Sequence, residues 1–173
     1  RFIEQQLTVS DQTLGRLSVS RDELFRLQNI FGDSNDLGIG AALSELFQGL
    51  QDVSTSPGES TARSVLLGKA AQLTSSLNQA AADLTNARSS LNFQVSQTIT
   101  EINSLTTQLA ELNGKIITAE VTGQNANDLR DQRQLALNEL AQRIDITSIE
   151  SGTGGLTIFA ARGQVVVEGD THR

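Results

Sequence analysis

The feature that most constrains this fold is an apolar stripe that runs from Leu66 to Ala119. Its members are spaced by steps of four and three residues, which places them on one side of an α-helix. No proline follows Pro57 to interrupt the pattern. The spacing therefore predicts a single helix over about 57–121, roughly 90 Å long at 1.5 Å per residue. A helix of that length needs other helices packed along it, because no compact core could cover it.

Three other segments show the same spacing, and they predict helices at about 2–31, 39–54 and 127–144. A helix with one apolar stripe buries that stripe against its neighbours. We therefore expect the helices to meet through a rod seam made of eight large apolar side chains: Leu17, Leu24, Leu46, Leu73, Leu84, Leu91, Ile102 and Leu109.

Residue types at the predicted helix ends suggest where two of the helices start. Ser56 suits an N-cap and Pro57 suits the first helical position, so they predict the start of the long helix. Asn127 is expected to cap the fourth helix. Asp128 falls in its first turn and Arg143 in its last, where each charge complements the helix dipole.

After Asp145 the hydrophobic period changes from that of a helix to two. Alternation of this kind predicts three short strands, at 146–150, 156–161 and 164–168. Glycine-rich segments between them supply the turns. The expected fold class is therefore mainly α: an elongated bundle of long helices, a coiled-coil-like rod over 1–144, followed by a small antiparallel β-meander over 145–173.

The meander and the chain ends suggest a longer parent protein. Three short strands are marginally stable alone, so we expect 145–173 to be the start of an outer β-domain. The chain has no initiating methionine, enters a helical pattern at once and stops soon after an apolar run. We interpret it as a fragment that lacks both terminal regions.

Composition argues against most catalytic and binding functions. There is no cysteine, so thiol chemistry, disulfides and thiolate metal sites are excluded. The net charge is −7 and the basic residues are dispersed, which argues against binding to nucleic acid or to an anionic membrane. The single histidine, His172, lies beside the chain end, where we expect it to be solvated. We expect no enzyme activity, no cofactor, no metal and no small-molecule substrate.

The densest cluster of charge lies in the predicted fourth helix, where acids and arginines alternate: Asp128, Arg130, Asp131 and Arg133. Each acid has an arginine within one helical turn, so we expect ion pairs along the helix rather than acid–base chemistry. Glu101, Glu111 and Glu120 fall off the stripe of the long helix and are expected on its solvated face.

The same helix carries a family resemblance. Residues 127–133, followed by Glu139 and Leu140, resemble the family of flagellar hook-associated protein 1, whose members carry N-D-L-x-D-Q-R-x-x-x-x-x-E-L before a β-hairpin. Further matching stretches lie at 1–7, 41–53 and 101–113. Arg130 stands where leucine is common in the family, and the resemblance covers the chain in order.

The resemblance implies a non-enzymatic axial protein of the bacterial flagellum. Such a protein would be secreted through the flagellar export apparatus and added outside the cell at the tip of the hook. It would form a ring with other copies of itself, between the hook protein and the second junction protein. The family's terminal segments and its carboxyl-terminal rod helix would be absent from this chain.

Two alternatives come from the same long-helix pattern. Flagellin and the second junction protein share long seam helices, but the resemblance of the fourth helix argues against both. A coiled-coil interaction or sensory module would need a helical hairpin without a β-meander, and the strands after Ile144 argue against it.

We hypothesise that the fourth helix acts as a structural clasp. The hypothesis rests on its charge density beside an apolar face. The clasp would fix the angle between the rod and the outer β-domain through Asn127, Asp128, Leu129, Asp131, Gln132, Arg133 and Leu140.

Overall fold

The computed structural model describes residues 2–32, 38–152 and 154–172. Its helices, within those ranges, are α1 (Phe2–Phe31), α2 (Ile39–Thr55), α3 (Ser60–Val121) and α4 (Asn127–Ala141). The strands are β1 (Ile146–Glu150), β2 (Leu156–Ala160), β3 (Gln164–Glu168) and β4 (Thr171–His172). The predicted fold class, mainly α with a small antiparallel sheet at the carboxyl-terminal end, is confirmed.

The predicted cap of the long helix is wrong, because Ser56 belongs to the end of α2. Its backbone N–H donates to the Asp52 carbonyl at 3.0 Å, which makes Ser56 the C-cap of the shorter helix. The Glu59 N–H then donates to the Ser56 carbonyl at 3.1 Å and closes a tight turn around Pro57. As a result α3 begins at Ser60 rather than at 57.

The predicted ends of α4 also need correction. Ala126, and not Asn127, is the N-cap, and no side chain caps this end. The helix stops at Ala141 rather than at Ile144, and the N–H groups of Arg143 and Ile144 both donate to the Leu140 carbonyl in the turn that follows. Arg143 therefore lies beyond the helix, although its Nη1 still donates to the Glu139 carbonyl at 2.8 Å and covers the helix end.

The sheet is an antiparallel meander in the order β1-β2-β3-β4. A fourth strand of two residues, which the sequence pattern did not predict, pairs Val167 with His172. Predicted strand residue 161 instead belongs to a short 3-10 turn, Ala161–Gly163, that joins β2 to β3. Gly163 ends this turn with φ +77°, a conformation that costs glycine little. Thr153, in the predicted β1–β2 turn, lies outside the described residues.

The chain divides into two compact units. Unit 1 comprises Arg1–Val19 and Gln94–Arg173, and unit 2 comprises Ser20–Phe93. The sheet therefore shares unit 1 with α4 and with parts of α1 and α3. The core of unit 1 is built from large apolar side chains, among which Leu109, Ile116, Leu140, Ile158 and Val167 are fully buried.

Unit 2 has a different interior. The residues buried in its described part are small: Ala42, Gly49, Ala80 and Ala87. Gly49 of α2 lies so close to α3 that an added Cβ would come within 3.2 Å of Leu66 Cδ1 and Lys69 Cδ. Small residues allow the two helices to approach closely, and larger apolar side chains remain outside, such as Phe47 and Leu67.

Candidate functional site

The inward face of α4 is the best-defined site in unit 1. It is formed by Arg133, Ala136, Leu137, Leu140 and Ala141, all buried. Their spacing of three and four residues puts them on one side of the helix. The four apolar members join the core formed by α3 and the inner side of the sheet. Arg133 is the one charged residue of this face, and it lies at the edge of that core.

Arg133 connects α4 to two parts of the sheet region. Its Nη2 donates to Glu150 Oε1 at 3.0 Å, at the end of β1. Its Nη1 donates to the Gly154 carbonyl at 2.6 Å and to Asn113 Oδ1 at 3.0 Å. Burial lowers the pKa of Arg133, but a guanidinium stays protonated at any physiological pH. The buried charge is offset by the Glu150 carboxylate, and the oxygens of Gly154 and Asn113 accept the hydrogen bonds of Nη1.

Asn113 of α3 completes the connection from the opposite side. Its Nδ2 donates to the carbonyls of Leu156 and Gly169, both at 2.8 Å. Its Oδ1 accepts from the Leu156 N–H at 3.2 Å and from Arg133 Nη1. Asn113 is fully buried, so these contacts replace water for both ends of its amide. One side chain thus holds the start of β2 and the turn between β3 and β4.

Arg130 forms a second, more exposed connection on the same helix. Its Nε donates to Glu120 Oε1 at 3.0 Å, and its Nη1 donates to Glu150 Oε1 at 2.7 Å. The hydrogen bond with Glu120 is the main cause that raises the pKa of Arg130. Glu150 therefore accepts from Arg130 and Arg133 together. Side chains of Arg130 and Glu120 remain about one-third exposed, so solvent screens this pair.

Gly154, whose carbonyl accepts from Arg133, sets the conformation of the turn before β2. Its φ of +79° is one that L side chains rarely adopt. A Cβ at this position would also collide with the Glu120 carboxylate and come within 3.2 Å of Ile116 Cγ2. Glycine is therefore required on two independent grounds.

The predicted ion pairs along α4 are wrong. Arg130 and Arg133 pair with Glu120 and Glu150, which lie on α3 and β1, and not with the neighbouring acids. Asp128 and Asp131 are exposed. The arginines are three residues apart on one side of the helix, and this side faces the acids of the other elements.

The prediction that Glu120 belongs to a solvated face is wrong, because its side chain is only 31% exposed, whereas Glu101 is exposed, as predicted. Glu120 pairs with Arg130, and Glu101 Oε2 accepts from Arg143 Nε at 2.7 Å. Glu111 is exposed, as expected. His172 is exposed as well, but it is not free: its Nε2 lies 3.2 Å from Thr107 Oγ1.

Sequence reasoning missed three residues of the site, Asn113, Glu150 and Gly154. One signal was available for Asn113, since it follows Leu109 by four residues and precedes Ile116 by three, which places it within the apolar stripe of α3. A polar residue in such a stripe indicates a buried hydrogen-bond anchor. Glu150 and Gly154 have no comparable signal, because their partners are distant in sequence.

The remaining motif residues lie outside the network. Asn127, Asp128, Asp131 and Gln132 are exposed, and Leu129 is half-buried. Of the residues in the clasp hypothesis, Arg133 and Leu140 are the two that are buried.

Residues of the predicted rod seam differ widely in burial. Leu109 is fully buried, and five are half-buried: Leu46, Leu73, Leu84, Leu91 and Ile102. The two on α1 point outward, with Leu17 57% and Leu24 63% exposed. These two do not pack within the chain.

The orientation of α1 explains that exposure. Its half-buried side is formed instead by Asp11, Gln12 and Gly15 in unit 1, and by Glu23, Arg26 and Ile30 in unit 2. Gln12 Nε2 donates to the Ile146 carbonyl at 2.8 Å, and Arg26 Nη1 donates to Ser90 Oγ at 3.3 Å. On a helical projection these residues lie opposite the apolar stripe that includes Leu17 and Leu24. The stripe of α1 is therefore the outward face.

The described part of the chain shows neither of two common kinds of site, a metal centre or a membrane span. No three His, Asp or Glu side chains among residues 2–32, 38–152 and 154–172 are grouped to bind a metal ion. Across the same ranges, no helix combines the length and apolar character that crossing a bilayer requires. The charged groups of the α4 site are engaged in fixing one element against another.

Comparison with known proteins identifies a family. Residues 24–173 match the model described as the flagellar hook-associated protein FlgK helical domain. The flagellar hook-associated protein 1 of Bacillus subtilis (strain 168) is 29% identical over 167 residues, which is 96% of this chain and 33% of that protein. Its counterpart from Salmonella typhimurium is 27% identical over 176 residues, 99% of this chain and 31% of that protein.

A solved structure shows the same arrangement. The flagellar hook junction protein FlgK from Burkholderia pseudomallei superposes with a TM-score of 0.74 at 31% sequence identity, covering 96% of this chain and 29% of that one. The chain thus spans about a third of the length of the curated relatives it matches.

Proposed function

The chain belongs to the family of the flagellar hook-associated protein FlgK helical domain, and from that premise we propose that it is a structural segment of a hook–filament junction protein. In this role it acts by packing against neighbouring subunits and catalyses no reaction. The names of its relatives and of the Burkholderia structure support the proposal.

The finer proposal concerns assembly. The parent protein is secreted through the flagellar export apparatus and lies outside the cell. Copies of it form a ring, with the hook protein on one side and the second junction protein on the other. The absence of cysteine is compatible with this route, because an unfolded chain without thiols forms no disulfides on leaving the cell.

The outward stripe of α1 is the observation that carries the packing role. Leu14, Leu17, Leu24 and Phe31 are 46–64% exposed on one side of the helix. Arg21 and Gln28 lie on the same face, but four large exposed apolar side chains along one helix indicate a contact with another protein surface. Leu17, Leu24 and Phe31 follow one another at intervals of seven residues, a heptad spacing that suits contact with a helix.

We further propose that α4 is the clasp between the helical segment 1–144 and the meander 145–173, which begins an outer β-domain. Arg133 and Leu140 support this role, since both join α4 to the sheet region. The exposed motif residues Asn127, Asp128, Asp131 and Gln132 do not contribute to it within the chain.

A double substitution on α1 tests the packing role in the full-length protein. Leu17→Asp with Leu24→Asp places two charges on the outward stripe. Because both side chains are exposed, the melting temperature of the purified chain should hardly change. In cells, filaments should detach and motility should fall, since a subunit contact would have to bury both charges.

The matched control is Ser18→Asp with Asn29→Asp, which adds the same charge at exposed positions beside the stripe. Control cells should keep attached filaments. If cells with the Leu17→Asp and Leu24→Asp protein swim normally with filaments in place, the α1 stripe is not a subunit contact.

A further inference from the structure

Asn113, Arg133 and Glu150 connect the sheet to α3 and α4 through directed hydrogen bonds. We call these three residues the docking latch. We propose that the latch makes the seating of the sheet two-state: the sheet is either fully docked on α3 and α4 or fully released, and partly docked positions are not populated. This inference does not depend on the proposed function.

The first argument is the number of latch contacts that change together. Asn113 holds both the N–H and the carbonyl of Leu156, and also the carbonyl of Gly169. Arg133 holds the Gly154 carbonyl and Glu150. These acceptors and donors lie in separate segments of the sheet region, and hydrogen bonds weaken steeply with length and angle. A displacement of the sheet by about 1 Å would therefore strain all the contacts at once.

The second argument is burial. Asn113 is fully buried and the Arg133 side chain is 8% exposed. A small shift would leave both polar groups unpaired but still shielded from water, which is strongly unfavourable. Complete release would expose them to water, which can satisfy them again. The free energy should thus be highest at intermediate positions.

The apolar contacts beneath the latch act in the same direction. Leu140 of α4 and Ile158 and Val167 of the sheet are fully buried in one cluster. Dispersion contacts are lost over a fraction of an ångström, well before water can enter the gap. Polar and apolar contacts therefore both penalise partial opening.

The Arg143–Glu101 pair differs from the latch, because its hydrogen bond joins α3 to the turn after α4 and involves no latch residue. The two side chains are 29% and 54% exposed, so water can replace their contact as the two groups separate. This pair joins helical segments rather than the sheet, and it provides the control.

Native-state hydrogen exchange of the chain, followed amide by amide at low denaturant concentrations, tests the proposal. In the unsubstituted chain, amides of β1, β2 and β3 should exchange through one shared opening with one denaturant dependence. Asn113→Leu should raise the opening constant at least tenfold and split the strands into separate openings. Glu101→Gln should change the constant less than threefold and keep the single opening.

Two results would overturn the proposal. One is that amides of the three strands in the unsubstituted chain exchange through separate openings with different denaturant dependences. This result can be obtained without any variant. The other is a response to Asn113→Leu no larger than that to Glu101→Gln. Neither result bears on the role of the outward α1 stripe, which is measured in cells.

Discussion

Arg133 illustrates, at the scale of single residues, what the sequence could and could not indicate. The sequence shows that Arg133 lies in a charged helix. Spacing along that helix predicts Asp128 and Asp131 as its ion-pair partners. The structure pairs it with Glu150 and Asn113, which are 17 and 20 residues away. Local spacing predicts pairs along a helix well only where the side chains point to solvent. Once a side chain turns inward, the tertiary fold decides its partners.

Leu140 and Leu135 allow a residue-scale test on one helix. Leu140 is fully buried, whereas Leu135 is 65% exposed. Leu140→Asp should lower the free energy of unfolding by several kcal/mol, about 3–5, because an unpaired carboxylate would enter the core. Leu135→Asp, the matched control, should change it by about 0.5 kcal/mol or less. Urea unfolding followed by circular dichroism measures both, and equal effects would show that α4 is only a connector.

Secondary structure elements were predicted better than their contacts. The apolar period identified all four helices and the change of period identified the first three strands, because both patterns follow from how each element buries one face. The ends of the helices were predicted less well. A serine at position 56 could be the N-cap of α3 or the C-cap of α2, and the residue type alone is compatible with both. The outward orientation of the α1 stripe could not be predicted from the sequence pattern either. A stripe shows which side of a helix is apolar, but it does not show which neighbour covers that side.

Close packing of α2 on α3 gives a prediction at the element scale. Gly49 is buried with α3 side chains within 3.2 Å of an added Cβ, whereas an added Cβ at Gly68 meets nothing within 4 Å. Gly49→Leu should therefore destabilise the chain by about 1–3 kcal/mol through overpacking. Gly68→Leu should leave stability unchanged or raise it by up to about 1 kcal/mol, since glycine is a poor helix former. Thermal melting of the two variants compares them, and a neutral Gly49→Leu would mean that the helices separate without cost.

The two units of the molecule differ in what they bury. The interior of unit 1 contains leucine, isoleucine and valine side chains, each of which contributes about 1.5–3 kcal/mol when fully buried. The described part of unit 2 buries alanine and glycine, which contribute much less, and leaves Phe25, Phe47 and Phe93 more than 60% exposed. Sequence composition could not reveal this difference, because both units contain a similar apolar stripe.

Limited digestion with trypsin provides the prediction at the scale of the whole chain. Arg63, Arg88 and Lys115 are all exposed on α3, but the first two lie in unit 2 and Lys115 lies in unit 1. Because all three side chains are exposed and all three lie within one helix, cleavage rates should report local unfolding rather than access to the side chain. The rate of cleavage after Arg63 and Arg88 should be at least ten times the rate after Lys115. The reason is that local unfolding of unit 2 exposes fewer large buried side chains. Mass spectrometry of a digestion time course measures the order. Cleavage after Lys115 at an equal or faster rate would show that the small-residue interior of unit 2 is as stable as the core of unit 1.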